Sequence, residues 1–474
     1  MKFDLGKIPT LAAWWCLGFF LLSSSLALRA AAPYFAYEVA LEEMPIVVFV
    51  SLYIFVAAAV TFSLPVLIRN MTEPATRHVL ILILLVGAAA RLVQLGTPAL
   101  LEDDYNRYLW DGAVVVAGNS PFEYSPLDIA DGSAGSADVR ALAQRAGQIL
   151  ERVNYPEYRT VYPPVAQAVF AISHVVAPFD LDGWRIMLFL LELGCLIFIY
   201  AILVTLGRSP LWLALYWWNP LVIKEIANSA HMEPVVMLPV LAAGLLMIKG
   251  HGVWASVFLT VSAGVKVWPL LMVAAVWRQF IEKRHIFILA VSLTVFLLVL
   301  IFWPVVASKL DTSSGFVAFA QNWKASSAAF LVSDWLLGFV VPDHENAPML
   351  SQMFLGFLLL AIVVAICIRR AKDTFMAFKR MFLICAALYL LSPSQTPWYF
   401  IWIAPFLCFF PVRGLLLAGV TLPLHYLYFH LAPHGQEMLY RYGVVWAIWA
   451  PVWALIVFDV ARPGAMLGRP RGAV

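Results

Sequence analysis

Residues 285–305 read HIFILAVSLTVFLLVLIFWPV. No Asp, Glu, Lys or Arg interrupts this run, and no polar face recurs at a helical or strand period. A helix needs about 20 predominantly apolar residues to cross the hydrocarbon core of a bilayer. The stretch therefore reads as a membrane span, and four others of the same kind lie at 44–67, 184–206, 348–368 and 442–460. A further apolar run at 9–28 is read as a retained first helix, because no small-residue cleavage site leads from it into a soluble domain. Across the 474 residues, 63% are apolar or aromatic and 12% are charged, against roughly 25% charged in a soluble domain. That ratio excludes a water-soluble globular fold.

Shorter apolar segments at 79–95, 209–223, 235–248, 252–265, 267–277, 381–391, 399–411 and 414–430 extend the series. The expected fold is all-α and integral to the membrane, one polytopic domain over 1–474 with about 13–14 transmembrane helices. The pairs meeting at Lys266–Pro269 and Ser392–Trp398 are individually short and joined by proline-containing turns. Broken helices of that sort survive only where protein or a cavity shields their backbone. No internal repeat is evident, which weighs mildly against repeat-built transporters.

Lys and Arg in short loops set orientation. One alternation places Lys2, Lys7, Arg69, Arg77, Arg208, Lys249, Arg278, Lys283, Arg284, the basic residues from Arg369 through Arg380, Arg413, Arg462, Arg469 and Arg471 on the cytoplasmic side. Both termini are then inside. The stretch from Thr97 to Gly183, with twelve acidic and five basic residues, is then outside. This outer loop, 97–183, carries an expected helix at 139–153, a Gly/Ser-rich link at 131–136, and an apolar run at 163–177 that is too short to span and is read as re-entrant or interfacial. A second outer loop covers 306–347. The net charge of +3 comes from scattered basic residues, so nucleic acid is not an expected partner. The five cysteines all fall in apolar segments without a CxxC pair, which argues against disulfides and zinc.

The polar residues that break this pattern are few. Leu101-Glu102-Asp103-Asp104-Tyr105-Asn106-Arg107-Tyr108-Leu109-Trp110-Asp111-Gly112 opens the first outer loop, and Asn119-Ser120-Pro121-Phe122 follows. Adjacent carboxylates raise one another's pKa, and partial burial does the same, so Asp103 and Asp104 are candidate general bases. An acidic run beside a membrane is also what a solvated loop carries. Arg107 shares a helical face with the pair, either to bind an anionic head group or to neutralise the acids.

Tyr162-Pro163-Pro164 starts a short apolar helix. The segment from Asn219-Pro220 through Lys224-Glu225 to Asn228-Ser229-Ala230-His231-Met232-Glu233 is a polar cluster between two apolar runs, where ionisable groups suggest function. His231 and Glu233 are two possible metal ligands, too few for a site, and a hydrogen-bonded structural histidine is the competing reading. Lys266 offers a point charge to a phosphate, or snorkels to the interface. Ser392 through Tyr399 forms an outer turn in which Trp398 either belongs to the interfacial aromatic belt or stacks on a sugar. His425, His430 and His434 show no metal pattern. Neither a cofactor nor a metal is expected.

These segments, in this order, resemble the GT-C superfamily of polytopic glycosyltransferases, in particular bacterial mannosyltransferases of the family 87 type that use polyprenyl-phosphate sugars. The resemblance rests on Asp103 through Gly112, Asn119 through Phe122, Tyr162-Pro163-Pro164, Asn228 through Glu233, Lys266-Val267-Trp268-Pro269, and Ser392-Pro393 with Pro397-Trp398-Tyr399. Ser120-Pro121-Phe122 stands where the family often has Asn-Pro-Tyr, and His231-Met232-Glu233 where it often has His-Met-Asp. What the resemblance implies is an inverting transferase of the cell envelope. It would be a multi-pass protein of the inner membrane with its site facing the periplasm or exterior. Asp103 or Asp104 would be the base, and Arg107, Lys266 and His231 would bind the donor phosphate. Asp111, Tyr162, Glu233, Gln395 and Trp398 would line the substrate site. The implied partners are the polyprenyl-phosphate donor, a glycolipid or glycan acceptor, and the bilayer. Two other classes stay open: a transporter or flippase of lipid-linked sugars, and a non-catalytic subunit of a glycosylation complex.

Overall fold

The computed structural model describes residues 10–71, 76–340 and 346–461. Lys2, Lys7, Arg462, Arg469 and Arg471, and with them the reading of both termini as cytoplasmic, lie outside the described residues, as do 341–345 of the second outer loop. The fold is helical, and among the described residues the only strand-like feature is a parallel bridge between Ala325 and Ser394.

Eight helices among the described residues are long and apolar enough to cross a membrane: Leu11–Phe35, Ile46–Arg69, Leu181–Thr205, Arg284–Ala307, Ala347–Cys367, Thr374–Leu391, Arg413–Leu431 and Glu437–Ala461. In hydrocarbon every backbone N–H and C=O must be satisfied within the chain, which is why such runs close into helices. The opening stretch becomes Arg284–Ala307, on which Phe296 and Trp303 remain 63% and 65% exposed. Large apolar side chains left uncovered on a wholly apolar helix are surface for lipid.

Eight is fewer than the 13–14 expected, and the difference has local causes. Residues 79–95 form Thr76–Leu92, just short of a full span. Residues 209–223 do not make one helix: Pro210 starts a 3-10 turn over Pro210–Leu213, Ala214–Trp217 follows, and Asn219 caps a new start at Pro220–Ile223. Residues 399–411 break in the same way into Pro397–Trp402 and Ala404–Leu407. The segments near 235–248, 252–265 and 267–277 form the helices Glu233–Ile248, Gly252–Ala263 and Leu270–Trp277, all shorter than a bilayer crossing.

The chain divides into two compact units, Met1–Leu101 with Ile199–Ser229 and Thr396–Val474, and Glu102–Phe198 with Ala230–Gln395. The first is built around buried tryptophans. Trp14 packs edge-on against Trp218, and the Arg91 guanidinium lies 3.6 Å over the Trp217 ring while donating to the carbonyls of Trp217 and Gly87. Lys224, Glu225 and Tyr426 form a fully buried polar group in this unit, in which the Tyr426 hydroxyl donates to Glu225 at 2.7 Å and accepts from Lys224.

The second unit carries the acidic stretch from Glu102 onward. Its helix Tyr105–Val116 lies against Pro164–Val176 so closely that a Cβ on Gly112 would sit 2.4 Å from the Phe170 carbonyl oxygen. Trp110, Ala113 and Val114 from the other side of this helix join Ile129, Val139, Leu142, Ala146, Leu150 and Val153 in a small core of their own. The expected helix at 139–153 is two, Ala137–Ala146 and Gln148–Glu151, because Gly147 turns the chain at a φ of +50°, where glycine carries no Cβ penalty. Pro164–Val176 matches the short apolar run predicted at 163–177. The stretch 306–347 is fastened to the acidic stretch by an Arg159–Asp311 ion pair of 2.7 Å.

Candidate active site

Glu102, Asp103 and Asp104 lead directly into Tyr105–Val116, and the carbonyls of Asp103 and Asp104 accept the first backbone N–H groups of that helix, from Asn106 and Arg107. Anionic side chains are favoured at this positive end of a helix dipole. Across from them, the side-chain amide of Asn154 donates to Oδ1 of Asp103 at 2.9 Å and to Oδ1 of Asp104 at 2.7 Å. One NH2 group thus holds two neighbouring carboxylates. Burial, and after it the charges of Asp104 and Glu102, push the Asp103 carboxyl up to about 7, against the opposing pull of Asn154. A carboxyl tuned to that range is half ionised at neutral pH and suited to proton transfer there.

His231 approaches from the turn before Glu233–Ile248. Ala230 adopts a left-handed φ of +62°, unusual for a residue with a Cβ, and its carbonyl is pinned by the Trp184 indole N–H at 2.8 Å. This fixes the imidazole, which is fully buried, with Nε2 3.4 Å from Glu102 Oε2 and Nδ1 3.7 Å from Asp104 Oδ2. Burial alone would lower its pKa, but the carboxylates of Glu102, Asp104 and Glu233 outweigh that and hold it above the ordinary histidine value. Glu233, also fully buried, is ion-paired with Lys266, whose side chain keeps 17% of its surface exposed.

Arg107 is buried and turned away from the role of a free anion receptor. Its guanidinium donates to the carbonyls of Asn154, Tyr155 and Tyr158 at 3.1, 2.9 and 3.1 Å. Burial lowers its pKa and the charges of Asp111, Tyr162, Asp104 and Glu157 restore part of the loss; a guanidinium stays charged regardless. Asp111 is likewise a framework group. The Gln167 amide donates to it at 3.0 Å and also reaches Thr160 Oγ1 and the Tyr162 carbonyl. Burial raises the Asp111 pKa while Arg107, Thr160 and Gln167 oppose the rise. Tyr162 meets Tyr108 and Phe170 edge to face, and Tyr108 stacks on Phe170 at 4.9 Å.

Of the residues singled out in the sequence, Asp103, Asp104 and His231 come together, with Glu233–Lys266 joined to them through His231, and Arg107, Asp111 and Tyr162 in the adjoining layer. Gln395 is engaged elsewhere in the same unit. Its backbone N–H donates to Ala325 and its amide to Tyr389, while its Oε1 is buried with no hydrogen-bond partner among the described residues. Trp398 belongs to the other unit, where its ring meets Tyr399 and His425. Asn154 and Gln167 carry no motif in the sequence, where Glu102 stands only as a member of the acidic run. Asn154 stands in Val153-Asn154-Tyr155-Pro156, where an Asn ahead of Pro reads as turn chemistry and nothing more. Compared with known protein families, curated proteins and solved structures, the chain matches none.

Proposed function

We propose that this membrane protein is a glycosyltransferase. It would move a sugar, with mannose the first candidate, from a polyprenyl-phosphate donor to a hydroxyl of a glycolipid or glycan acceptor. The site would face the outside of the inner membrane, with both termini in the cytoplasm. The observation that carries this reading is Asp103, a carboxyl pushed up to about 7 by burial and by the adjacent carboxylates Asp104 and Glu102, with Asp104 in turn facing His231.

In this reaction Asp103 takes the proton of the acceptor hydroxyl as that oxygen bonds to the anomeric carbon. The bond from that carbon to the phosphate oxygen breaks, and its electron pair leaves with the polyprenyl phosphate. Attack opposite the leaving group inverts the centre, so a β-linked donor gives an α-linked product. Asp104, already shared between Asn154 and His231, orients the imidazolium. His231 and Lys266 offset the charge that grows on the phosphate, the form of electrostatic assistance that typically supplies the largest share of catalysis. Arg107 acts at one remove by holding the 154–158 loop. Tyr162 presents an aromatic ring to the sugar, and the exposed apolar side chains of the spans offer the prenyl chain a surface. The reading uses no metal and no cofactor.

Purified protein in liposomes, given labelled polyprenyl-phosphate mannose in one arm and nucleotide-activated mannose in another, tests this. Transfer to added lipid or glycan acceptors from the first donor alone is expected. Absence of transfer from polyprenyl-phosphate mannose, glucose, galactose and arabinose alike would contradict the proposal.

A further inference from the structure

Asn154 is the group that ties the acidic pair to the rest of the loop. Its amide has two N–H donors, and both are spent on the pair, one on each Oδ1. Its own backbone is held in turn. Arg107 Nη2 takes the Asn154 carbonyl at 3.1 Å and the next carbonyl, of Tyr155, at 2.9 Å, and Tyr155 sits at a left-handed φ of +48°. Such a conformation costs on the order of 1 kcal/mol or more for a residue with a Cβ and persists only where its surroundings enforce it. Arg107, one helical turn beyond Asp103, holds Tyr155 there together with the Trp323 ring, 4.6 Å from that of Tyr155. The Asn106 amide closes the loop from the other side, donating to the Asp103 carbonyl at 3.0 Å and reaching the Arg152 carbonyl. The carboxylates and the amide that grips them are therefore fixed by neighbouring residues of one short helix.

We infer that Asn154 is a positioning residue for Asp103 and Asp104. It aligns the two carboxylates side by side, and because Asp104 also faces His231, Asp103 is left as the one that exchanges a proton. Its catalytic meaning rests on the proposed transfer reaction; its hold on Asp103 does not.

A neutral donor on a carboxylate favours the ionised form. Other groups facing Asp103 act as well: Glu102, Asp104 and Tyr105 on its own segment, Arg152 beside Tyr105, and His231 behind the two flanking carboxylates. Removing the Asn154 amide while these stay in place makes Asp103 harder to ionise. A hydrogen bond to a charged group is worth about one pH unit or somewhat more in the titration of that group.

The test is carbodiimide labelling, which modifies carboxyls only while protonated, read at Asp103 by peptide mapping from pH 5 to 10 on the full-length protein in detergent. The wild-type midpoint is expected near 7. In Asn154→Ala it is expected to rise by about one unit, and in Asn154→Ser, which keeps one donor, by less. Transfer at pH 7 should then drop about fivefold in Asn154→Ala and recover at pH 9. A midpoint unchanged in either variant, with monodisperse elution and a normal melting temperature, would overturn the inference; should Asn154→Ala not fold, Asn154→Ser alone decides it. A shifted midpoint in protein that transfers no sugar would leave the clamp standing and remove the transferase.

Discussion

Asp103 and Asp104 are adjacent and chemically identical, yet their surroundings separate them. Asn154 holds both; only Asp104 also faces the His231 ring. The acidic triplet was legible in the sequence because three consecutive carboxylates beside an apolar run are rare. The residue that organises them was not, since a single asparagine some fifty positions onward leaves no local pattern. Arg107 was legible as a cation on the face of the acids, to bind an anionic head group or to neutralise them; that its guanidinium also donates to three backbone carbonyls is invisible to any side-chain motif. Asp103 and His231 also fix a pH dependence of stability. Both are raised in the folded state, so each contributes most when protonated and loses that contribution as pH climbs from its ordinary value through its folded one. For Asp103 this runs from 3.8 to about 7, and for His231 upward from 6.5. Melting temperature in detergent is therefore expected to fall between pH 5 and 9. Asp103→Asn should flatten the lower part of the fall and His231→Gln the upper part. A melting temperature that climbs with pH would contradict this arrangement.

Among the elements, the long spans were read correctly from apolar length alone, because hydrocarbon leaves an uninterrupted apolar run no alternative to a helix. The shorter ones were placed by sequence, but their division into separate helices was not legible. Pro210, Asn219 and Pro220 divide one apolar run into three short pieces, and hydrophobicity by itself does not register such punctuation. The helix pair that carries the site depends on a contact no periodicity reveals, the close approach of Gly112 to the Phe170 carbonyl. Gly112→Ala is expected to push Tyr105–Val116 off Pro164–Val176, destabilising the protein by roughly 1–3 kcal/mol and lowering transfer through displacement of the acidic triplet. Gly356→Ala, on a span where an added Cβ meets nothing within 4 Å, is the control and should leave the melting temperature unchanged or raised. Equal melting temperatures for the two variants would mean that the close approach does not matter.

At the scale of the whole molecule, composition was enough to give an all-helical membrane protein, and two compact units emerge from a chain that sequence analysis took as one. Their interleaving, in which residues 199–229 and the C-terminal part rejoin the N-terminal helices, is a property of contacts between distant segments and has no signature along the chain. The proposed function uses the second unit most heavily, since the acidic triplet, Asn154, His231 and the Glu233–Lys266 pair all belong to it. Its central claim is that Asp103 removes the acceptor proton. The most direct measurement is the pH profile of sugar transfer from a labelled polyprenyl-phosphate donor by wild-type, Asp103→Asn and Asp104→Asn proteins in liposomes. The wild-type rate is expected to rise through about pH 7. In Asp103→Asn that rise should be absent and the rate lower by about 10²–10⁴-fold, as expected for loss of a general base. Asp104→Asn should keep the rise at a reduced rate. Undiminished transfer by Asp103→Asn, with the same pH profile, would contradict that claim.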